Sequence, residues 1–340
     1  MRLVTVRSIG DGREFCGVLR EDGSERIVDL ETAARKHRGE DAAMYFHSML
    51  HMIEAGDPAL ALAREILELA DNGKAGPAGE VSPADVVYRT PIPDPPQIRD
   101  CLMFEDHLLN AYEKLRAARA QMEDDPETAL KEFEARGLYQ VPDVWYERPI
   151  YYKANRFAVI GTDQDVEKPP YTEMLDFELE FGCFLRRHVK NATAEEVRDS
   201  IFGYSIFNDV SARDIQSREM QGQLGPAKGK DFDTANVIGP CIATADSIDP
   251  GNLAMVARIN GEEVARGNSG SAKWSFEEVI AYMSVSETLV PGEFVASGTV
   301  GGGCGLEIGR FLDVGDVIEL ELEGIGVLRN RIVDASARPS

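Results

Sequence analysis

The alternation of apolar and polar residues divides the chain into a mixed first part and a β-rich remainder. Up to about residue 30, runs such as LVTVRSI and EFCGVLRE predict short strands separated by turns. Helical periodicity follows up to about residue 70, and the Gly- and Pro-rich residues 71–85 are typical of a linker. We therefore predict a small N-terminal β/α domain over residues 1–90.

Residues 91–340 are predicted to form a larger domain that is mostly β. Its first part, near residues 110–137, is charged and helix-prone, which indicates a helical insertion. After residue 140, short β-rich runs such as GYSIFNDVS and ANVIGPCIAT alternate with turns, and helical patches are few. The fold class that follows is α+β, mostly β with some α.

One of these runs, LDFELEFGCFL at residues 175–185, predicts a strand with acids on one face. The acidic face carries Asp176, Glu178 and Glu180, and the opposite face carries Phe177, Leu179 and Phe181. Neighbouring acids on such a face lie about 7 Å apart, so their charges repel one another. An exposed face would need no partner, but the run continues apolar through GCFL, as an interior strand does. Buried carboxylates need a compensating cation, and oxygen ligands suit Mg²⁺, Mn²⁺ or Ca²⁺.

Two further segments carry acidic residues that would need a compensating interaction if they were buried. In GYSIFNDVSARDIQ, Asp209 ends an apolar run, whereas Asp214 is expected to form a surface ion pair with Arg213 or Arg218. The segment IRDCLMFEDH, residues 98–107, contains several acids and one histidine. These segments supply further candidate metal ligands and a candidate base.

Composition limits the class of partner and the compartment. The formal charge of −23 over 340 residues argues against nucleic acid or an anionic membrane as a partner. The five cysteines are scattered without a CxxC motif, which favours reduced thiols in a cytosol. No long apolar run and no signal-peptide pattern is present. We expect a soluble cytoplasmic protein.

The motifs DFELE, NDVSARDIQ, GPAKGK and ASGTVGGGCGLE, in this order, resemble those of the fumarylacetoacetate hydrolase family. The resemblance extends over about residues 100–333. It implies a roll of mixed β-sheets packed as a sandwich, a homodimer, and a small 2-oxo or diketo acid as substrate. It also implies a divalent cation as cofactor, Mg²⁺ or Mn²⁺, with Ca²⁺ as an alternative.

Matched residue by residue, the family's metal ligands fall on Glu178, Glu180 and Asp209. Asp100 takes the place of a fourth ligand found in the fumarylacetoacetases themselves. Asp176 is left without a role, and we expect it to be a hydrogen-bonded or solvent-facing acid at the start of the strand.

The general base implied by the resemblance is His107, since imidazole can exchange a proton near neutral pH. Glu307 matches the acid that orients this histidine, and Glu105 is a rival that is nearer in the sequence. Arg116 falls at the spacing of a substrate-binding arginine, but a solvated position in a charged helix is the interpretation we prefer.

The residues implied to contact the substrate are Lys230, Gln216 and Thr299, with Lys228 as a competitor for the role of Lys230. The chain departs from the fumarylacetoacetases at two positions. Met220 replaces a tyrosine that contacts substrate, and Leu102 replaces an aromatic residue. These changes make fumarylacetoacetate itself a poor candidate.

The sequence thus predicts a divalent-metal hydrolase that cleaves a carbon–carbon bond in a β-diketone or acylpyruvate-type acid, such as a catabolic ring-cleavage product. In this mechanism His107 deprotonates the attacking water, while Lys230 and Gln216 stabilise the oxyanion. One alternative is a decarboxylase, a tautomerase or isomerase, or a dehydratase of a related 2-oxo acid. An alternative of another class is a metal-binding protein without catalytic activity.

Overall fold

A computed structural model of the protein describes residues 1–73 and 79–335, so residues 74–78 of the predicted linker lie outside it. The strands are Arg2–Ser8, Glu14–Leu19, Ile27–Asp29, Glu80–Val81, Val86–Tyr88, Ile98–Cys101, Tyr151–Ala154, Val159–Ile160, Val166–Lys168, Leu175–Asp176, Glu180–Leu185, Ile201–Asp209, Ser211–Ala212, Asn236–Thr244, Ala254–Ile259, Glu262–Asn268, Phe294–Ala296, Val317–Leu322 and Gly326–Asp334. The α-helices are Leu30–Arg38, Glu40–Ala43, Met49–Ala55, Asp57–Asp71, Glu105–Ala120, Pro126–Ala135, Asp143–Glu147, Ala194–Arg198, Arg213–Glu219, Ala227–Lys230, Phe276–Ser284 and Gly305–Ile308.

The N-terminal strands and the strands that carry the acids belong to one large mixed sheet. Its main path runs Glu80–Val81, Ile27–Asp29, Glu14–Leu19, Arg2–Ser8, Asn236–Thr244, Ile201–Asp209, Glu180–Leu185, Phe294–Ala296, Ile98–Cys101 and Tyr151–Ala154. Leu3 pairs with Ile242, and both belong to the apolar cluster under the N-terminal helices. The N-terminal segment therefore extends the large sheet, and a domain boundary at residue 90 stays a prediction.

A second sheet packs against the first and forms the core between them. Its order is Glu262–Asn268, Ala254–Ile259, Val317–Leu322, Gly326–Asp334 and Val166–Lys168. Leu320 and Leu328 of this sheet belong to the same buried cluster as Ile206 and Val237 of the large sheet. The predicted fold class, α+β with packed mixed sheets, is confirmed, although the described chain contains about as much helix as strand.

The run predicted as a single strand over residues 175–185 is interrupted. Leu175–Asp176 pairs with Ser211–Ala212, whereas Glu180–Leu185 lies between two strands of the large sheet. Between them, Glu178 makes only an isolated bridge with Cys304. The chain passes here from a small ladder to the large sheet, and the whole passage is buried. The acids are therefore interior groups.

The charged stretch near residues 110–137 forms two helices that pack on each other. The first begins earlier than predicted, at Glu105, and places His107 in its first turn. The second begins at Pro126, as the sequence indicates, with Asp125 accepting a hydrogen bond from the Thr128 backbone N–H as N-cap. The start of the first helix fixes the position of the candidate base.

The interior strand Glu180–Leu185 depends on close approach of its neighbour at Gly182. A Cβ atom at this position would lie 2.4 Å from Phe294 Cζ and 2.7 Å from the Val295 carbonyl oxygen. Phe294 has little room to move, because its ring packs against two other buried phenylalanines. Gly182→Ala should therefore destabilise the protein by about 1–3 kcal/mol, the usual cost of overpacking. A urea titration measures this.

The control is Gly10→Ala at an exposed turn, where the nearest atom to a new Cβ is Ser8 Oγ at 3.8 Å. Its urea midpoint should stay close to that of the unmodified protein. Equal midpoints for the two variants would contradict the packing described for Gly182.

Candidate metal and acid–base site

Four carboxylates converge where neighbouring strands of the large sheet end. Asp209 ends one strand, Glu180 begins the next, and Asp100 lies two strands further on, opposite Ala296. Together with Glu178 they can offer four oxygens that all lie within 4.8 Å of one another. None of the four residues is more than 5% exposed. The set contains all four metal ligands predicted from the sequence.

Three oxygens of this cluster have no hydrogen-bond partner among the described residues: Asp100 Oδ1, Glu180 Oε2 and Asp209 Oδ1. Burial, together with repulsion from neighbouring carboxylates, raises the pKa of Asp100 and Glu180 well above the ordinary values. Burial also raises the pKa of Asp209, although Lys230 opposes this effect. Mg²⁺ and Mn²⁺ prefer oxygen ligands such as these buried carboxylates, which have too little positive charge beside them. The residues therefore fit a divalent cation.

Lys230 supplies part of the missing charge. Its buried Nζ donates hydrogen bonds to Glu178 Oε2, at 2.7 Å, and to Asp209 Oδ2. Burial disfavours its charged form, but the two carboxylates outweigh burial and raise the pKa of Lys230 above its ordinary value. The competing Lys228 is exposed and lies over the Tyr171 ring. Of the two lysines, Lys230 is thus the one in the site.

Arg213 and Asp176 form a second buried layer behind the cluster. Arg213 donates from Nη2 to Glu178 Oε1 at 2.7 Å and from Nε to Asp176 Oδ2 at 2.6 Å. Burial raises the pKa of Glu178, but Lys230 and Arg213 outweigh burial and hold it below its ordinary value. Glu178 is therefore the charged, fully paired member of the four carboxylates.

Of the two alternatives expected for Asp176, the structure shows the hydrogen-bonded one. Asp176 is fully buried and accepts hydrogen bonds from Arg213 and from the backbone N–H groups of Gly305 and Leu306. The expectation for Asp214 was wrong. Asp214 forms no ion pair within the described chain. It instead accepts hydrogen bonds from nearby Thr172 and Glu173, while Arg213 turns inward.

The candidate base is held by Glu307. The Nδ1 atom of His107 lies 2.9 Å from Glu307 Oε2, and both side chains are buried. Burial raises the pKa of Glu307, but the hydrogen bond from His107 and electrostatic attraction to its ring outweigh burial and hold this pKa below its ordinary value. Glu105 instead accepts a hydrogen bond from Tyr146 at the surface. Glu307, not Glu105, is therefore placed to orient the histidine ring.

Three groups that sequence reasoning missed also bind Glu307, namely the Gly302 N–H at 2.7 Å, the Cys304 thiol at 3.1 Å and the Asn110 side-chain N–H at 3.1 Å. Glu307 Oε1 accepts from Gly302 and Asn110, and Oε2 accepts from Cys304. Each oxygen of the carboxylate is thus fixed by two donors, counting His107. This arrangement leaves Glu307 little freedom to rotate.

A cavity of about 520 Å³ connects the cluster with the histidine. His107, Gln216 and Thr299 line it, and Thr299 Oγ1 donates to Glu180 Oε1 at 3.2 Å. Nε2 of His107 makes no hydrogen bond to a described residue, so it is available to a ligand. Arg116 lies elsewhere, bound to the Tyr139 carbonyl, and lines a different cavity.

Tyr152 was also missed, although it lies in the β-rich run RPIYYKA. Its hydroxyl donates to Asp209 Oδ2 at 2.6 Å. The carboxylate thereby has one oxygen held by Tyr152 and Lys230 and the other free for a cation. Alternation along that run places Tyr152 on one face of the strand. No local sequence signal identifies its partner, Asp209, which is 57 residues away.

The fold and the site together match one enzyme family. Residues 127–333 match the model described as fumarylacetoacetate (FAA) hydrolase C-terminal. The chain belongs to this family, which confirms the resemblance seen in the sequence.

Individual proteins are similar to this chain in sequence or in fold. Oxaloacetate tautomerase YisK of Bacillus subtilis is 29% identical over 327 residues, which cover 94% of this chain and 96% of the relative. Mitochondrial oxaloacetate tautomerase FAHD2A of Homo sapiens is 33% identical over 189 residues, 55% of this chain and 60% of the relative. The structure of the fumarylacetoacetate hydrolase of Exiguobacterium antarcticum has a TM-score of 0.71 at 24% identity, over 98% of this chain and 99% of that one. That last match concerns the fold alone.

No helix within residues 1–73 and 79–335 is long and apolar enough to cross a membrane.

The crowded carboxylates predict opposite effects of Glu180→Gln with and without metal. In metal-free protein, the raised pKa of Glu180 means that folding is favoured at low pH and becomes less favourable as pH rises above about 4. Gln removes this penalty, so the metal-free variant should have a higher urea midpoint than the unmodified protein at pH 7. Added Mn²⁺ should stabilise the unmodified protein but not the variant. A variant that is less stable without metal, or that keeps the full Mn²⁺ response, would contradict the assignment.

The buried layer predicts a large cost for Asp176→Ala. The change leaves the Arg213 guanidinium and two backbone N–H groups unpaired, and breaking a buried ion pair costs about 3–5 kcal/mol. Asp163→Ala is the matched control, since it breaks an exposed pair with Arg329, typically worth about 0–1 kcal/mol. Urea titration compares them. Similar losses of unfolding free energy in the two variants would contradict the stabilising role assigned to Asp176.

Proposed function

We propose that this protein is a metal-dependent keto–enol tautomerase of a small 2-oxo acid. The observation that carries the proposal is the hydrogen-bonded pair His107–Glu307, which meets the four-carboxylate cluster across one cavity. Tautomerisation moves one proton to or from the carbon beside a carbonyl. It therefore needs a base at that carbon and positive charge near the oxygen that becomes an enolate.

The residues that would hold the cation are Glu178, Glu180, Asp209 and Asp100. When bound there, a divalent cation supplies positive charge that favours the enolate form of a chelating 2-oxo acid. The proposal takes Mg²⁺ or Mn²⁺ as this cation, with Ca²⁺ as the alternative. A homodimer and a cytoplasmic location stay predictions from the sequence.

The proton is handled by His107. His107 Nδ1–H donates a hydrogen bond to Glu307, which fixes the ring with Nε2 toward the cavity. There Nε2 can take the proton from C3 of the keto form and deliver it to the enolate oxygen to give the enol, or carry it in the reverse direction. The Lys230 ammonium has three N–H donors, and Glu178 and Asp209 take two of them. The third is available for a substrate oxygen, as is the amide of Gln216.

Tautomerisation is preferred over the hydrolysis that the sequence first suggested. Both reactions use an enolate and a base. Hydrolysis of a carbon–carbon bond also needs a positioned water molecule as nucleophile and a carbon leaving group. The curated relatives described above carry the name oxaloacetate tautomerase, one of them across 94% of this chain. They support the alternative of the sequence analysis better than its first choice.

The proposal predicts that His107→Ala loses tautomerase activity while the protein stays folded. With Mn²⁺ present, decay of the enol absorbance of a 2-oxo acid should slow by about 10²–10⁴ in kcat, the usual contribution of a general base. Glu307→Gln should show a smaller loss, because the ring is then less firmly oriented. Glu105→Gln is the matched control and should keep nearly full activity, since Glu105 contacts Tyr146 and not His107.

Full activity of His107→Ala would exclude His107 as the base. Product analysis separates the two reactions, because a tautomerase leaves the carbon skeleton intact. If the unmodified protein splits an acylpyruvate into two acids, and His107→Ala does not, hydrolysis replaces tautomerisation as the function.

A further inference from the structure

The helix Arg213–Glu219, continued by the turn Met220–Gly222, provides one wall of the cavity from its interior to its mouth. Arg213, Gln216 and Met220 follow one another at spacings of three and four residues, so they lie along one helix face. Exposure rises along this face from 5% at Arg213, through the half-buried Gln216, to 52% at Met220. The cluster end is therefore buried and the Met220 end is open to solvent.

The outer part of the cavity lining is mostly apolar. Its apolar residues are Leu102, Ile150, Met220, Leu224 and Pro226, and the uncharged polar Gln223 lies among them. Leu224 is 98% exposed and Met220 52% exposed, so this wall presents apolar side chains to solvent at the mouth. The two positions where the chain departs from the fumarylacetoacetases, Met220 and Leu102, both lie in this wall. The departures thus concentrate where a substrate's remote end would lie.

No free lysine or arginine among the described residues that line the cavity faces this outer region. Among the described residues that line the cavity, the lysine and arginine side chains are Lys230 and Arg213. Each nitrogen of Arg213 already donates, to Asp176, Glu178 and Gln216, and Lys230 is bound to two carboxylates. A second substrate carboxylate at the mouth would have neither of these charges to pair with, and it would face the acidic cluster.

We propose that the substrate is a 2-oxo acid whose C3 carries an uncharged apolar group, aryl or alkyl, and that Met220 is a specificity-determining residue. This inference rests on the proposed function, because it assumes that the 2-oxo acid end lies at the carboxylate cluster. It separates this chain from relatives named for oxaloacetate, whose C3 bears a carboxylate. Apolar contact with Met220 and Leu224 favours the aryl or alkyl group.

The test compares phenylpyruvate with oxaloacetate as enol substrates, with Mn²⁺ present and the uncatalysed rate subtracted. The two acids share the 2-oxo acid end and differ in the C3 substituent. We expect kcat/KM for phenylpyruvate to exceed that for oxaloacetate by at least about tenfold. Met220→Arg should lower this ratio by about tenfold or more, because it places a cation at the mouth, whereas Met220→Leu should keep the ratio.

An unmodified protein that prefers oxaloacetate, or a Met220→Arg ratio equal to that of Met220→Leu, would overturn the inference and leave tautomerisation intact. Turnover of neither acid by folded protein that binds Mn²⁺ would overturn the proposed function and this inference with it. The two failures are therefore distinguishable.

Discussion

Repulsion among four buried carboxylates is the constraint on which the rest of the site depends. Asp100, Glu178, Glu180 and Asp209 are each at most 5% exposed, so water screens them poorly, and three of their oxygens lack a hydrogen-bond partner among the described residues. Lys230 compensates only part of the charge. A fold that keeps these groups together must gain a cation or hold protons, and the proposed chemistry uses that requirement, since an enolate needs the same positive charge.

Asp176 links the carboxylate cluster to the His107–Glu307 pair through hydrogen bonds. On one side it binds Arg213, which holds Glu178 of the cluster. On the other it accepts the N–H groups of Gly305 and Leu306, at the start of the short helix that carries Glu307. The position of the base relative to the cluster is therefore set through one fully buried carboxylate. This accounts for the burial of an acid that has no place among the candidate metal ligands.

The sequence predicted much of this arrangement where the signal is local. Period-two alternation places Glu178 and Glu180 on one face, and the motif around Asp209 is long enough to indicate the family. Contacts between distant residues were not predictable in this way. Asp176 meets Arg213 across 37 residues and Gly305 across 129, and the choice of Glu307 over Glu105 depends on a contact across 200 residues. Only the folded sheet brings such pairs together.

The central claim, that the cluster is short of positive charge until a cation binds, is tested most directly by calorimetric titration of metal-free protein with Mn²⁺. The experiment is repeated near neutral pH in buffers of different ionisation enthalpy, which reports the protons exchanged. The account predicts one Mn²⁺ per chain and net proton release, because the raised pKa values of Asp100 and Glu180 let the metal-free cluster retain protons. Absence of binding, or binding with no proton release, would contradict it.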